Sequence, residues 1–184
     1  MNVNHQNQQP DQPLSELVAT LSEEDSPNFR DIICSMKMPR SAFENCCSWS
    51  SKTYTRNCIA QNEKFELILL CWEKGQKTPI HDHGGEECWV RIIQGEFKET
   101  IYNVDDAGKL HAGKSIITKT GDVTYMIDFM GCHRLENLSN KRSMSLHLYA
   151  KPIRNCNIYD EDLGKFVSRD LSYCTVFELE EIEN

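Results

Sequence analysis

Two histidines two residues apart, His81 and His83, stand in the stretch Gly75–Gly95, GQKTPIHDHGGEECWVRIIQG. If this stretch is a β-strand, side chains i and i+2 point to one face, and both imidazoles converge on one point. A neutral imidazole is a common transition-metal ligand, so the pair would supply half of a metal site. The alternative is that both histidines flank a loop and hydrogen-bond to it. A third histidine favours the metal: His133 lies in Gly121–Asn137, GDVTYMIDFMGCHRLEN.

The spacing of the two stretches resembles the paired motifs of the cupin superfamily: glycine, five residues, His-x-His and a closing Gly95, then Gly121, His133 and Asn137. A typical cupin follows its two histidines with a glutamate ligand. Here the candidates are Glu86, Glu87 and Cys88. Strand parity counted forward from His83 favours Glu87, but Gly84-Gly85 is expected to break that parity. Counting back from Gly95 along an uninterrupted strand lands on Cys88, which leaves Glu86 and Glu87 exposed and Glu87 as an alternative fourth ligand. Three neutral histidines leave a divalent ion its full charge and up to three open positions. An anionic chelating substrate and dioxygen can share such an ion, as at facial-triad iron sites. One open tetrahedral position would instead suit zinc and its activated water.

Other residues share faces with useful chemistry. In SLHLY, Ser145, His147 and Tyr149 alternate along one strand, with Leu146 and Leu148 on the other face. Such a row lets His147 hydrogen-bond to both neighbours and hold the Tyr149 hydroxyl in one orientation. Tyr54 and Arg56 likewise share a face, and a planar guanidinium suits bidentate capture of a carboxylate.

The elements that must position these groups change character near Thr53. Before it the period is helical. Leu14–Glu24 has apolar residues at 14, 17, 18 and 21, SPNFRDIICSM starts at Ser26-Pro27, and Ser41–Cys47 is a short third helix. After it the period is two. Tyr54–Arg56, Phe65–Glu73, Cys88–Gln94, Phe97–Asn103, Ser115–Thr118, Val123–Ile127 and Ser143–Tyr149 read as strands with turn residues between them. That predicts a mainly β fold, a cupin barrel, with short N-terminal helices packed on its outside. Residues 1–13 are polar, lack the apolar run of a signal peptide and read as a disordered arm, and 14–184 read as one domain. The acidic end Phe177–Asn184 reads as solvated.

A formal charge of −8 argues against nucleic acid or an acidic membrane surface as partner, and no apolar run reaches the roughly 20 residues of a spanning helix. The nine cysteines contain no C-x-x-C pair and read as reduced, buried small hydrophobes of a cytoplasmic protein, expected to be a monomer. No glycine-rich nucleotide fingerprint is evident.

Taken together, TYTRN (53–57), LCW (70–72), HDH (81–83), Cys88, GCHRLEN (131–137) and SLHLY (145–149) resemble the cysteine dioxygenases, over roughly Thr53 to Asp160. The resemblance implies a mononuclear Fe(II) enzyme that inserts both atoms of O₂ into the thiol of L-cysteine, giving cysteine sulfinic acid. It implies His81, His83 and His133 as iron ligands, and Tyr54, Arg56, His147 and Tyr149 around the substrate. Cys88, in the carboxylate's place, and Tyr149, at the end of its inward row, should both point at the pocket. A Cys88–Tyr149 thioether is what the animal-type enzymes imply. Two points bear on the pocket. Family members often carry proline two residues after the motif tyrosine, where this chain has Lys151. Relatives without an arginine at the Arg56 position prefer thiols such as 3-mercaptopropionate. Rival readings are a dioxygenase for another small thiol or an acireductone, and a non-catalytic cupin that binds a ligand.

Overall fold

The computed structural model describes residues 14–106 and 108–177, so the polar arm and residues 178–184 lie outside it. Helices α1 (Leu14–Glu23) and α2 (Ser26–Ser35) precede a 3₁₀ turn, Arg40–Cys46, where a third helix was expected. The apolar spacing of α1 is realised in full: Leu14, Leu17, Val18 and Leu21 are its buried residues. In α2, Pro27 sits in the first turn, where its missing N–H costs nothing.

Among the described residues eleven strands follow: β1 (Thr55–Gln61), β2 (Glu66–Trp72), β3 (Cys88–Gln94), β4 (Glu96–Val104), β5 (Leu110–Lys119), β6 (Val123–Met126), β7 (Cys132–Asn137), β8 (Ser143–Tyr149), β9 (Asn155–Asp160), β10 (Lys165–Asp170) and β11 (Thr175–Val176). One sheet runs β11-β1-β2-β8-β3-β6. Facing it are the sheet β5-β4-β7 and the pair β10-β9. Strand β5 is longer than the Ser115–Thr118 expected from its pattern, and β7, β9, β10 and β11 are strands beyond those the sequence pattern predicts. Among the described residues no helix is long and apolar enough to cross a membrane.

Alternation along the central strands feeds two cores. Leu67, Leu69, Trp89, Leu146 and Leu148 pack outward against α1, α2 and the 3₁₀ turn, with Phe29 edge-on to Phe65 and Trp89. Ile68, Leu70, Trp72, Cys88, Val90, Ile92 and Tyr149 point inward, against Phe97 and Leu135 of the opposing sheet. Covering both faces explains why every residue of β2 and β8 is buried. Each fully buried Phe or Leu contributes roughly 1.5–3 kcal/mol. The helices also meet the barrel through Arg91 of β3. Its Nη1 donates to the carbonyls of Ile33 and Cys34, and its Nη2 to that of Met36, at the C-terminal end of α2.

The His81–His83 segment corrects the expectation of a strand carrying both rings. Only His81 pairs, in isolated bridges to His133 of β7 and Ile158 of β9, and His83 lies in the loop that follows. Glu86 and Glu87 are half-buried rather than exposed.

Candidate metal centre and adjoining cavity

The backbone brings the three histidines together from three directions. His81 N–H donates to the His133 carbonyl at 3.0 Å, and His133 N–H returns the bond at 2.9 Å. Beyond His81 the chain is held by two aspartates. Asp82 accepts from the Asn157 backbone and side-chain amides at 2.8 and 2.7 Å, and Asp128 accepts from the His83 and Gly85 N–H groups at 2.8 and 2.5 Å. This double clamp, and not strand parity, aims His83 inward. His133 enters β7 just after Gly131, whose φ of 103° lies in the left-handed region, and a Cβ there would collide with the Tyr102 carbonyl.

The rings face one another with centroids 5.5 Å (His81–His83), 4.6 Å (His81–His133) and 4.8 Å (His83–His133) apart. One nitrogen from each lies within 4.8 Å of the other two. The remaining nitrogens explain the orientation. His81 Nδ1 contacts the Pro79 carbonyl at 3.0 Å, and His133 Nδ1 contacts buried Glu99 Oε1 at 2.6 Å, so each leaves Nε2 for the centre. His83 has neither nitrogen hydrogen-bonded although both are buried. An orphaned buried imidazole costs stability unless a ligand takes it, so the donor set fits a metal ion. Burial, reinforced by the neighbouring His133, pushes the His81 pKa down to about 3, and the same causes hold His83 well below its ordinary value. Neutral imidazole is the form that ligates.

Among the described residues no carboxylate joins this group. Glu87 points elsewhere, accepting the Tyr125 hydroxyl at 2.7 Å. Cys88 is fully buried, directly across the β3–β8 ladder from Tyr149. Burial pushes the Cys88 thiol well up, and it pushes the Tyr149 phenol well up too.

Beside the triad is a cavity of about 420 Å³, lined by Tyr54, Arg56, His147 and Tyr149 with apolar Leu70, Leu135, Ile153 and Leu171. Tyr54 precedes β1 and stacks on Trp72 with centroids 4.6 Å apart. The Arg56 guanidinium lies beside the Tyr149 hydroxyl, yet its Nε and Nη2 are buried without a hydrogen-bond partner. Burial works against its charge, but the two tyrosines and Glu66 more than offset that. Ser145 Oγ lies 2.9 Å from His147 Nε2 and accepts from Trp72 Nε1 at 3.0 Å. His147 does not bond both neighbours as the alternating row suggested. Its Nδ1 is buried and unpartnered, and its ring lies 6.2 Å from that of Tyr149. After Tyr149 the backbone turns at Lys151 with φ 102°, rare for a residue with a side chain. Cys156 is buried and joins the cavity wall.

Sequence reasoning missed Glu99, Asp82 and Asp128. Glu99 carried a signal, since it stands two residues from Phe97 on β4 and so shares its inward face. A carboxylate at such a position needs a buried partner.

The geometry can be set beside known proteins. The model of the family described as "Cysteine dioxygenase type I" matches residues 12–162. Two curated relatives carry the name "Cysteine dioxygenase type 1". One, from Danio rerio, is 37% identical over 117 residues, and the other, from Homo sapiens, is 36% identical over 115 residues. In both comparisons the match covers 60% of this chain and 58% of the relative's length. A crystal structure of an uncharacterized conserved protein with a double-stranded β-helix domain, from Klebsiella pneumoniae, aligns with a TM-score of 0.51 at 14% identity, covering 74% of this chain and 91% of that one. That likeness speaks for the fold alone, a double-stranded β-helix, which is the mainly β barrel expected from the sequence.

Proposed function

Because the chain belongs to the cysteine dioxygenase type I family, we propose that it converts L-cysteine and O₂ to cysteine sulfinic acid at an Fe(II) ion held by His81, His83 and His133. The observation that carries this reading is the pairing of two unmet demands in one cavity. His83 offers two bare nitrogens in the triad, and Arg56 offers two bare donors a short way along the wall. A cation satisfies the first and a substrate carboxylate the second. Cysteine brings that carboxylate together with a thiol and an amine, both of which suit three neutral imidazole ligands with open positions beside them.

Bound Fe(II) would supply the redox chemistry, favouring the substrate thiolate and activating O₂. The chain's own residues do the rest. Arg56 takes the carboxylate through Nε and Nη2, a planar match that fixes which end of the substrate enters first. Tyr149 keeps its proton on the hydroxyl, because burial holds the phenol far above its ordinary range, and it can donate a hydrogen bond to an anion there. Ser145 and Trp72 fix His147 from behind. Leu70, Leu135, Ile153 and Leu171 exclude water and raise the worth of each polar contact. Substrate and O₂ between them supply all the electrons, so no further cofactor is called for.

The test is anaerobic loading with Fe(II) followed by cysteine and ¹⁸O₂. The expected product is cysteine sulfinic acid carrying two ¹⁸O atoms. Full iron loading with no cysteine-dependent O₂ uptake would overturn the reading and favour a binding module.

A further inference from the structure

One buried carboxylate has no part in that scheme. Glu66 opens β2, is wholly buried and, by alternation with Ile68, Leu70 and Trp72, belongs to the inner face of the barrel. It pairs with Tyr149 across the β2–β8 ladder, in line with Cys88 beyond. Its Oε1 accepts the Tyr173 hydroxyl and lies 3.7 Å from Nη1 of Arg154, whose side chain is 60% exposed and therefore a weak, screened partner. Its Oε2 is buried with no hydrogen-bond partner. A bare carboxylate oxygen and two bare guanidinium nitrogens thus occur in one region of the interior without a direct ion pair between them. Their charges still act on each other. Burial pushes the Glu66 pKa up, and Arg56 is foremost among the groups pulling it back. The segment that carries Tyr173 also grips Arg56 itself, through Cys174 N–H on the Arg56 carbonyl at 2.7 Å.

We propose that Glu66 is a positioning residue that acts through Arg56: its negative charge competes with an incoming carboxylate for the guanidinium, and so sets how strongly thiols that carry a carboxylate are preferred over thiols that do not. This rests on Arg56 being the group that meets the substrate carboxylate. The arrangement has a use. Oxidation of the thiol adds a sulfinate to a molecule that already carries a carboxylate, and an uncompensated buried guanidinium would hold such a product tightly. A fixed carboxylate nearby weakens that hold and eases release.

The test is equilibrium binding to the full-length, Fe(II)-loaded protein without oxygen, using cysteine, cysteamine and cysteine sulfinate, with steady-state kinetics alongside. Glu66→Gln should tighten cysteine and cysteine sulfinate by something on the order of 5- to 30-fold, the effect of removing one charge that competes for the guanidinium in a poorly screened interior. Cysteamine should change by less than about twofold, since it brings no carboxylate for which Glu66 would compete at Arg56. In kinetics the KM for cysteine should fall with little gain in kcat. On an Arg56→Ala background the same change should no longer shift the cysteine-to-cysteamine ratio. Glu66→Asn carries the same expectation if the longer amide disturbs the fold. Equal shifts for cysteine and cysteamine, or weaker cysteine binding, with Arg56→Ala still discriminating between them, would overturn the role of Glu66 alone. If Arg56→Ala affects both thiols equally, the carboxylate reading of Arg56 fails and this proposal falls with it.

Discussion

Cys88 and Tyr149 stand directly opposite each other on β3 and β8, both facing the inside of the barrel. Opposed residues on neighbouring strands have Cβ atoms about 4.5–5.5 Å apart, so sulfur and ring edge are within reach. We expect turnover with cysteine and O₂ to join them as a thioether at the ring carbon ortho to the hydroxyl, one hydrogen leaving each partner. Burial pushes the Cys88 thiol and the Tyr149 phenol well up, so coupling removes hydrogen from a thiol and a phenol. Intact mass should show a fraction lighter by two hydrogens, mapped to these two peptides and absent in Cys88→Ser, with activity reduced but retained. Unmodified peptides after many turnovers in a fully active sample would rule the link out.

Glu99 should matter to the metal without touching it. Glu99→Gln keeps the shape but loses the carboxylate on His133 Nδ1, and we expect metal affinity to fall about 10- to 100-fold. Competition against a chromogenic chelator measures this directly. His81→Ala, His83→Ala and His133→Ala should each lose metal far more completely, with the fold surviving. Full stoichiometric retention in any one would remove that residue from the ligand set.

Arg56→Ala should lower kcat/KM for cysteine much more than for cysteamine. Losing a charge-assisted pair in a partly dry pocket costs on the order of 2–4 kcal/mol, or about 30- to 1000-fold. Similar losses for both thiols would make Arg56 structural.

The thiols make a prediction about alkaline pH. Burial raises Cys46 from 9.0 to about 12 and Cys58 from 9.0 to about 11. A folded-state pKa raised above the unfolded value contributes stability that is intact below pH 9 and lost as pH climbs through the folded value, here about 11 to 12. Each group should cost about 1.4 kcal/mol per pH unit over that climb, read as a falling denaturant midpoint. At pH 8 a thiol reagent should label exposed Cys34 and Cys174 long before Cys46. Equal rates would mean that the helical cover opens freely.

How much could be read beforehand follows from how local each signal is. Strands β3 and β8 have the bounds their residue patterns draw, because the largely apolar stretch of β3 and the strict alternation in β8 are both local signals that need no distant partner to be recognised. Motif spacing picks out His81, His83 and His133, which the fold brings together, but strand parity does not account for their convergence. His83 is aimed by Asp128, 45 residues further on, and His133 by Glu99, 34 residues before it. A carboxylate in a polar or mixed stretch looks like any solvated residue until its partner is placed. Strands β9 and β10, NCNIYD and KFVSRD, went unread for a related cause. They form a two-stranded edge with several exposed residues, so neither face is apolar enough to show a period of two.

The hydrogen bonds from Arg91 to the end of α2 tie two layers that also share an apolar interface. Peeling the helices away would strip three carbonyls of their donor and wet Leu67, Leu69, Trp89, Leu146 and Leu148 in one step. Those residues alternate with the inward row of Leu70, Cys88 and Tyr149, so water at one face loosens the ladder that shapes the other. Melting should therefore be a single cooperative transition, with no stage at which a bare barrel survives its cover. An amino-terminal deletion that reaches α2 should yield aggregation rather than a smaller working protein.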